Sequence, residues 1–198
     1  MMTSRRTLGA ATVVGLLLGI GCASPEPREQ DWFEGGDLKP ASAETLQLTA
    51  RILAAKGRTE QATALLDRMA REYPDFLGTY TEAAEVYLLE GRINRAVEIL
   101  DLGLSRFPAQ PILLNDRGMC RLLQQDLRRA AADFNRAMEL DPSDGDFVGN
   151  AALAAALQGN DQRALDLWER VVSPGQARAN LAIATKARSS FTTGSDSG

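Results

Sequence analysis

The sequence predicts an all-α protein, an α-solenoid of about four helix-turn-helix repeats followed by a C-terminal capping helix, and three observations predict it. Small residues recur every 34 positions, as Ala62, Ala96, Ala130 and Ala164, where the two helices of a pair would cross most closely. The preceding helix keeps the same spacing in the small residues Ala50, Ala84, Gly118 and Ala152, and the following one keeps it in the large apolar residues Leu66, Leu100, Phe134 and Trp168. Between the helices stand Gly57, Gly91, Gln125 and Gly159, so three of four turns carry the residue that takes positive φ without steric cost. An ordinary amphipathic bundle shares the 3.6-residue periodicity but has no reason to hold one register across four kinds of position.

Composition is that of one ordinary domain: 198 residues, 44% apolar and 24% charged. There is no histidine, which removes the commonest general acid/base and metal ligand. The two cysteines, Cys22 and Cys120, lie in such different contexts that they are not expected to pair.

Residues 1–22 carry Arg5 and Arg6 and then an uncharged stretch from Thr7 to Gly21, too short to span a bilayer comfortably and shaped like a signal peptide. Its end, Gly19-Ile20-Gly21-Cys22, resembles a bacterial lipobox. The resemblance implies cleavage after Gly21 and lipidation of Cys22, with Gly19 standing where leucine is usual and Leu18 one place further back. Several acyl chains on one cysteine attach a protein durably without a spanning helix, at about 0.8 kcal/mol per buried methylene. Ser4-Arg5-Arg6-Thr7-Leu8 also resembles the start of a twin-arginine signal, but paired arginines are common in ordinary signal peptides and nothing here demands folding before export, so ordinary secretion is the expected route. Ala23 after the cysteine, in place of aspartate, resembles lipoproteins passed to the outer membrane. The expected location is therefore a bacterial cell envelope, lipid-anchored at the outer membrane and facing the periplasm. Loss of the signal would take the formal net charge from −4 to −6, a poor match for nucleic acid, and no nucleic-acid partner is expected.

Residues 23–42 hold three prolines and a Gly-Gly pair and read as a flexible tether. Within it Trp32 and Phe33 are expected to tuck against the exposed side of the first repeat. The first repeat, 43–76, opens at Ser42 as N-cap and turns at Gly57, with Leu46, Leu53, Leu65, Leu66 and Met69 on its buried faces. The second, 77–110, adds Tyr80 and Tyr87 to the pattern. In the third, 111–144, Asp126 is expected to cap the second helix in place of the missing turn glycine, and Cys120 reads as an inert core thiol. The fourth, 145–178, has an alanine-rich first helix that a neighbour can approach closely. Prolines end the second helices at Pro74, Pro108 and Pro142, but Pro174 comes two residues early, which makes the last repeat irregular. The stretch 177–188 reads as a final helix whose part beyond the repeats, 179–188, covers the open end, and 189–198 reads as a disordered tail.

Over residues 43–178 these positions resemble the tetratricopeptide repeat (TPR) family. The resemblance implies that first helices of successive repeats line a concave protein-binding groove. By family register its positions are Gln47 and Arg51 in the first repeat, Thr81, Glu82, Glu85 and Leu88 in the second, Asn115, Met119 and Leu122 in the third, and Asn150 and Leu153 in the fourth. Where chaperone-type TPRs clamp a C-terminal carboxylate, this chain has Gln47, Glu82, Met119 and Asp116. An apolar or basic segment of another protein is expected as ligand instead.

Catalysis is not expected. The acidic pairs Glu82 with Glu85 and Asp141 with Asp144 lie in no dense oxygen-ligand loop, and helix caps and solvated faces account for them. There is no phosphate-cradling glycine loop, serine elbow or metal-spaced cysteine set, so no cofactor and no metal are expected. Arg178-Ala179-Asn180-Leu181-Ala182-Ile183-Ala184 resembles the R-x-N-L-A-L-A segment near the C-terminus of the tight-adherence (Flp pilus) assembly lipoprotein. Lipid-anchored TPR chains also resemble pilotins of type IV pilus systems. The implied role is a non-enzymatic scaffold for pilus or secretion-system assembly, with envelope proteins such as a secretin or pilus component as partners. The alternatives are a general envelope adaptor for peptidoglycan enzymes, an unlipidated periplasmic adaptor, and an enzyme whose activity the sequence does not display.

Overall fold

A computed structural model describes residues 41–193, with side chains described through Ser189. Cys22, the signal-like segment, Trp32, Phe33 and the rest of the expected tether before Ala41 lie outside the described residues, as does 194–198. The described residues form nine helices and no strand: α1 (Ala43–Ala55), α2 (Thr59–Glu72), α3 (Gly78–Leu89), α4 (Ile93–Arg106), α5 (Pro111–Leu123), α6 (Leu127–Leu140), α7 (Gly145–Leu157), α8 (Asp161–Trp168) and α9 (Pro174–Thr193).

Local chemistry sets the boundaries. Ser42 accepts from the Thr45 amide at 3.3 Å, and Asp126 accepts from that of Arg129 at 3.0 Å. Asp144 caps α7 by accepting from the amides of Asp146 and Phe147, while Asp141 accepts from the amide and hydroxyl of Ser143, so both acids of that pair organise a helix start. Each turn inside a pair places one residue in the left-handed region: Gly57 at φ 73°, Gly91 at 71°, Gly159 at 86°, and Gln125 at 63°. Gln125 thus does the glycine's work with a side chain in place, and Asp126 captures the next helix.

The small-residue series are the crossing points. Ala62, Ala96, Ala130 and Ala164 are fully buried, as are Ala50 and Ala152. At Gly118 a Cβ would lie 2.7 Å from the Phe134 ring, so α5 and α6 meet too closely there even for alanine. Leu66, Leu100 and Phe134 are fully buried, and Trp168 closes that series at 5% exposure. Each helix packs on its sequence neighbours, and α1 on α3, α3 on α5 and α5 on α7 also touch, which sets the first helices side by side. Tyr80 and Tyr87 sit in the core with their hydroxyls donating to the Pro74 carbonyl and to Asp67, each at 2.7 Å. Cys120 is fully buried, and burial together with the Asp116 charge pushes its thiol up to about 11, the inert core thiol expected of it.

The C-terminal end departs from expectation. Pro174 does not close the second helix of the fourth repeat; it opens α9, where a missing N–H is no loss in the first turn. Helix α8 stops at Trp168 after eight residues, against 14 in each of α2, α4 and α6, and the turn that follows is held by the amides of Val171 and Val172 on the Trp168 carbonyl. The final helix is correspondingly longer than 179–188, and 189–193 is helical where a disordered tail was expected. Its last turns are tied down by an ion pair from Arg188 to Asp161 at the start of α8.

Candidate protein-binding groove

The groove face is built by the first helices α1, α3, α5 and α7, and α9 extends it by packing on α7 and α8. That extension keeps the repeat register: 34 residues after Gly149, Asn150 and Leu153 come Ile183, Ala184 and Ala187. Helix α9 therefore continues the register of the first helices and caps α7 and α8, but it leans on α7 more than on α8, whereas each earlier first helix leans mainly on the second helix before it.

The groove positions divide into those that tie helices together and those that line open space. Gln47 and Arg51 belong to the first group: the Gln47 amide donates to the Gly78 carbonyl at 3.4 Å, and Arg51 lies 3.2 Å from Glu82. Glu82 is consequently 8% exposed, its pKa raised by burial and pulled back by Arg51, so it serves as an α1–α3 link more than as open groove surface. Asn150 donates to Asn115 at 2.7 Å and stitches α7 to α5 in the same way. Leu122 is partly buried against the C-terminal core.

Two hollows remain. The first, about 310 Å³, lies between α3 and α5 and brings together Thr81, Glu85, Leu88 and Met119 with Ala84 and Asp116. The second, about 360 Å³, lies between α7 and α9; Asn150 and Leu153 line it with Trp168, Asn180, Ile183 and others. Its lining is neutral, whereas the first hollow carries two carboxylates. Asp116 is half-buried, and desolvation, reinforced by the Glu85 charge and opposed by a hydrogen bond from Asn115, raises its pKa from 3.8 to about 6.

Asp116 was read from the sequence only as standing at a clamp-equivalent place and not as a groove-lining position, and the α9 residues were not among the expected positions, although the register contained both. Asp116 lies 34 residues after Glu82 and 34 before Asn150. The fifth step of the same series gives Ile183 and Ala184, which was obscured by reading Pro174 as a helix end.

A third hollow, about 300 Å³, opens between the second helices α2 and α4. Tyr87 lies at its base, bonded to Asp67, with the Arg92 and Arg95 guanidinium groups 4.9 and 5.7 Å from its ring centre. That set of contacts is satisfied within the protein. Among the described residues, no group of three or more His, Cys, Asp or Glu side chains is placed to hold a metal ion, and no helix is long and apolar enough to cross a membrane.

Residues 53–114 match the tetratricopeptide repeat family. No curated protein matches the chain in sequence. Among solved structures, TTC0263, a thermophilic TPR protein of Thermus thermophilus, is similar at 20% identity over 74% of this chain and 83% of its own, with a TM-score of 0.61. YrrB, a TPR protein with an unusual peptide-binding site, is similar at 20% identity over 75% of this chain and 78% of its own, with a TM-score of 0.60. The first TPR of Spaghetti (RPAP3), bound to the HSP90 peptide SRMEEVD, matches at 18% identity over 63% of this chain and 99% of its own, with a TM-score of 0.55. Together with four helix pairs in a 34-residue register, these likenesses establish that the chain has the tetratricopeptide-repeat fold.

Proposed function

We propose that this chain is a non-enzymatic scaffold at a bacterial cell envelope, anchored through a lipid on Cys22, and that its groove holds a segment of another protein during assembly of a pilus or secretion apparatus of the tight-adherence or type IV kind. The observation that carries the binding reading is the open hollow between α3 and α5, where Met119 is exposed and Leu88 partly so. The TPR fold of YrrB and of RPAP3, described in both cases with a peptide site, supports the same use of the groove. A peptide as acidic as SRMEEVD is a poor ligand here, because Glu85 and Asp116 line the groove hollow.

The envelope assignment is supported by the lipobox-like Gly19-Ile20-Gly21-Cys22, and the assembly role by the resemblance of 178–184 to the tight-adherence lipoprotein segment. Two experiments test these parts separately. Replacing Cys22 with Ser and following membrane fractionation should release the protein to the soluble fraction; sedimentation of the variant with membranes refutes the lipid anchor. Cross-linking in cells followed by affinity capture of the full chain should recover a secretin or a pilus component. Recovery of peptidoglycan synthases or hydrolases without either would replace the assembly role by that of a wall-enzyme adaptor.

A further inference from the structure

We infer that the hollow between α3 and α5 selects a positively charged side chain, an arginine or lysine carried by an extended segment of the partner protein. The inference rests on the groove-binding reading above and names what that groove recognises.

The hollow has the make-up of a slot for a long side chain with an apolar stem and a cationic head. Its walls are Ala84, Leu88 and Met119, and Met119 is 37% exposed although it is large and apolar. Aliphatic stems of Arg and Lys pack on such surface while their heads seek anions. The anions are Glu85 from α3 and Asp116 from α5, both lining the same space.

Several nearby carboxylates are already matched. Glu82 has Arg51; Asp101 and Asp133 share Arg117; Asp126 has Arg129. Among the described residues no Lys or Arg nitrogen pairs with Asp116 or Glu85. Asp116 is nevertheless half-buried, a position that disfavours its charged form unless a counter-charge arrives. A neutral ligand would bury the pair further without compensation, and an acidic one would add repulsion. A cationic one supplies what is lacking and gains from desolvation of the slot. The second hollow, between α7 and α9, has no charged group in its lining, so the selectivity is confined to one place along the groove.

The test uses the full chain and a phage-displayed random octapeptide library, with binders sorted by competition against a Met119→Trp variant, which fills the hollow with apolar bulk and no charge and is accepted only if its circular dichroism spectrum matches the native one. Peptides that bind the native chain and not this variant should share an Arg or Lys at one position. Replacing that residue with norleucine should weaken binding at least tenfold at pH 7.5. The Asp116→Asn/Glu85→Gln double variant should lose at least tenfold for the basic peptide and less than twofold for its norleucine counterpart. Groove-specific peptides without a basic residue, or an unchanged affinity in the double variant, overturn this inference and leave the groove reading standing. The absence of any peptide sensitive to Met119→Trp overturns both.

Discussion

Arg117 grips Asp133 with two hydrogen bonds, from Nε at 2.9 Å and from Nη2 at 2.7 Å, while its remaining nitrogen reaches Asp101 at 2.6 Å. Arg121 adds a further bond to Asp133 at 2.6 Å. One guanidinium therefore connects α4, α5 and α6, and it does so around a carboxylate that is only 4% exposed. Removing the carboxylate strands two partly buried guanidinium groups. Asp133→Ala is expected to lower unfolding stability by about 3–5 kcal/mol, read from chemical denaturation, with Asp101→Ala costing less than about 1 kcal/mol because that acid is half-exposed.

Asp116 makes stability depend on pH. Its folded pKa, about 6, lies above the ordinary 3.8, so the folded state holds the proton where the unfolded state has lost it. Its contribution is therefore most favourable below about pH 4 and declines as pH rises through 6. Glu85 on α3 and Cys120 on α5 are the ionisable groups coupled to it, and Cys120 stays neutral throughout. Asp116→Asn is expected to stabilise the chain at pH 7.5 by about 1–2 kcal/mol after allowance for partial exposure, and by nothing at pH 4. Denaturation curves at the two pH values check it.

Gln125 carries the strain of a left-handed residue with a side chain, at φ 63°. Gln125→Gly relieves it and is expected to raise stability by about 0.5–1 kcal/mol, whereas Gln125→Val, branched at Cβ, should lower it. Paired thermal melts of the two variants should move in opposite directions.

Gly118 faces the Phe134 ring with no room for a methyl group. Gly118→Ala is expected to cost about 1–3 kcal/mol, and Gly118→Ala with Phe134→Leu less than the sum of the single changes, because the two share one space. A double-mutant cycle in urea measures the difference.

These residues also show what the sequence could and could not disclose. The alanine crossings were legible because a crossing point tolerates only one size of side chain, so sterics write themselves into a fixed spacing. Asp126 was legible as a cap because the turn glycine was missing beside it. The extent of α9 was not, because proline is compatible with both the end of one helix and the first turn of the next, and only the early stop of α8 at Trp168 decides between them. In the groove, residue type alone did not separate Glu82 from Asp116. They occupy equivalent register positions, yet Arg51 lies within reach of the first and, among the described residues, no cation pairs with the second, a difference of partners that lies outside local pattern.

The buried residues fall into two clusters, and α6 and α7 belong to both: Ala137 and Phe147 join the first, Ala130, Ala131, Phe134 and Val148 the second, and Met138 packs against each. The join thus runs through α6 and the start of α7 and not through a loop between units. A fragment cut before α6 would strip a wall from α5, and one cut after it would take the support of α7 away. Anyone dissecting this chain into minimal pieces must give α6 to whichever half is to keep its shape, and the other half will need a substitute.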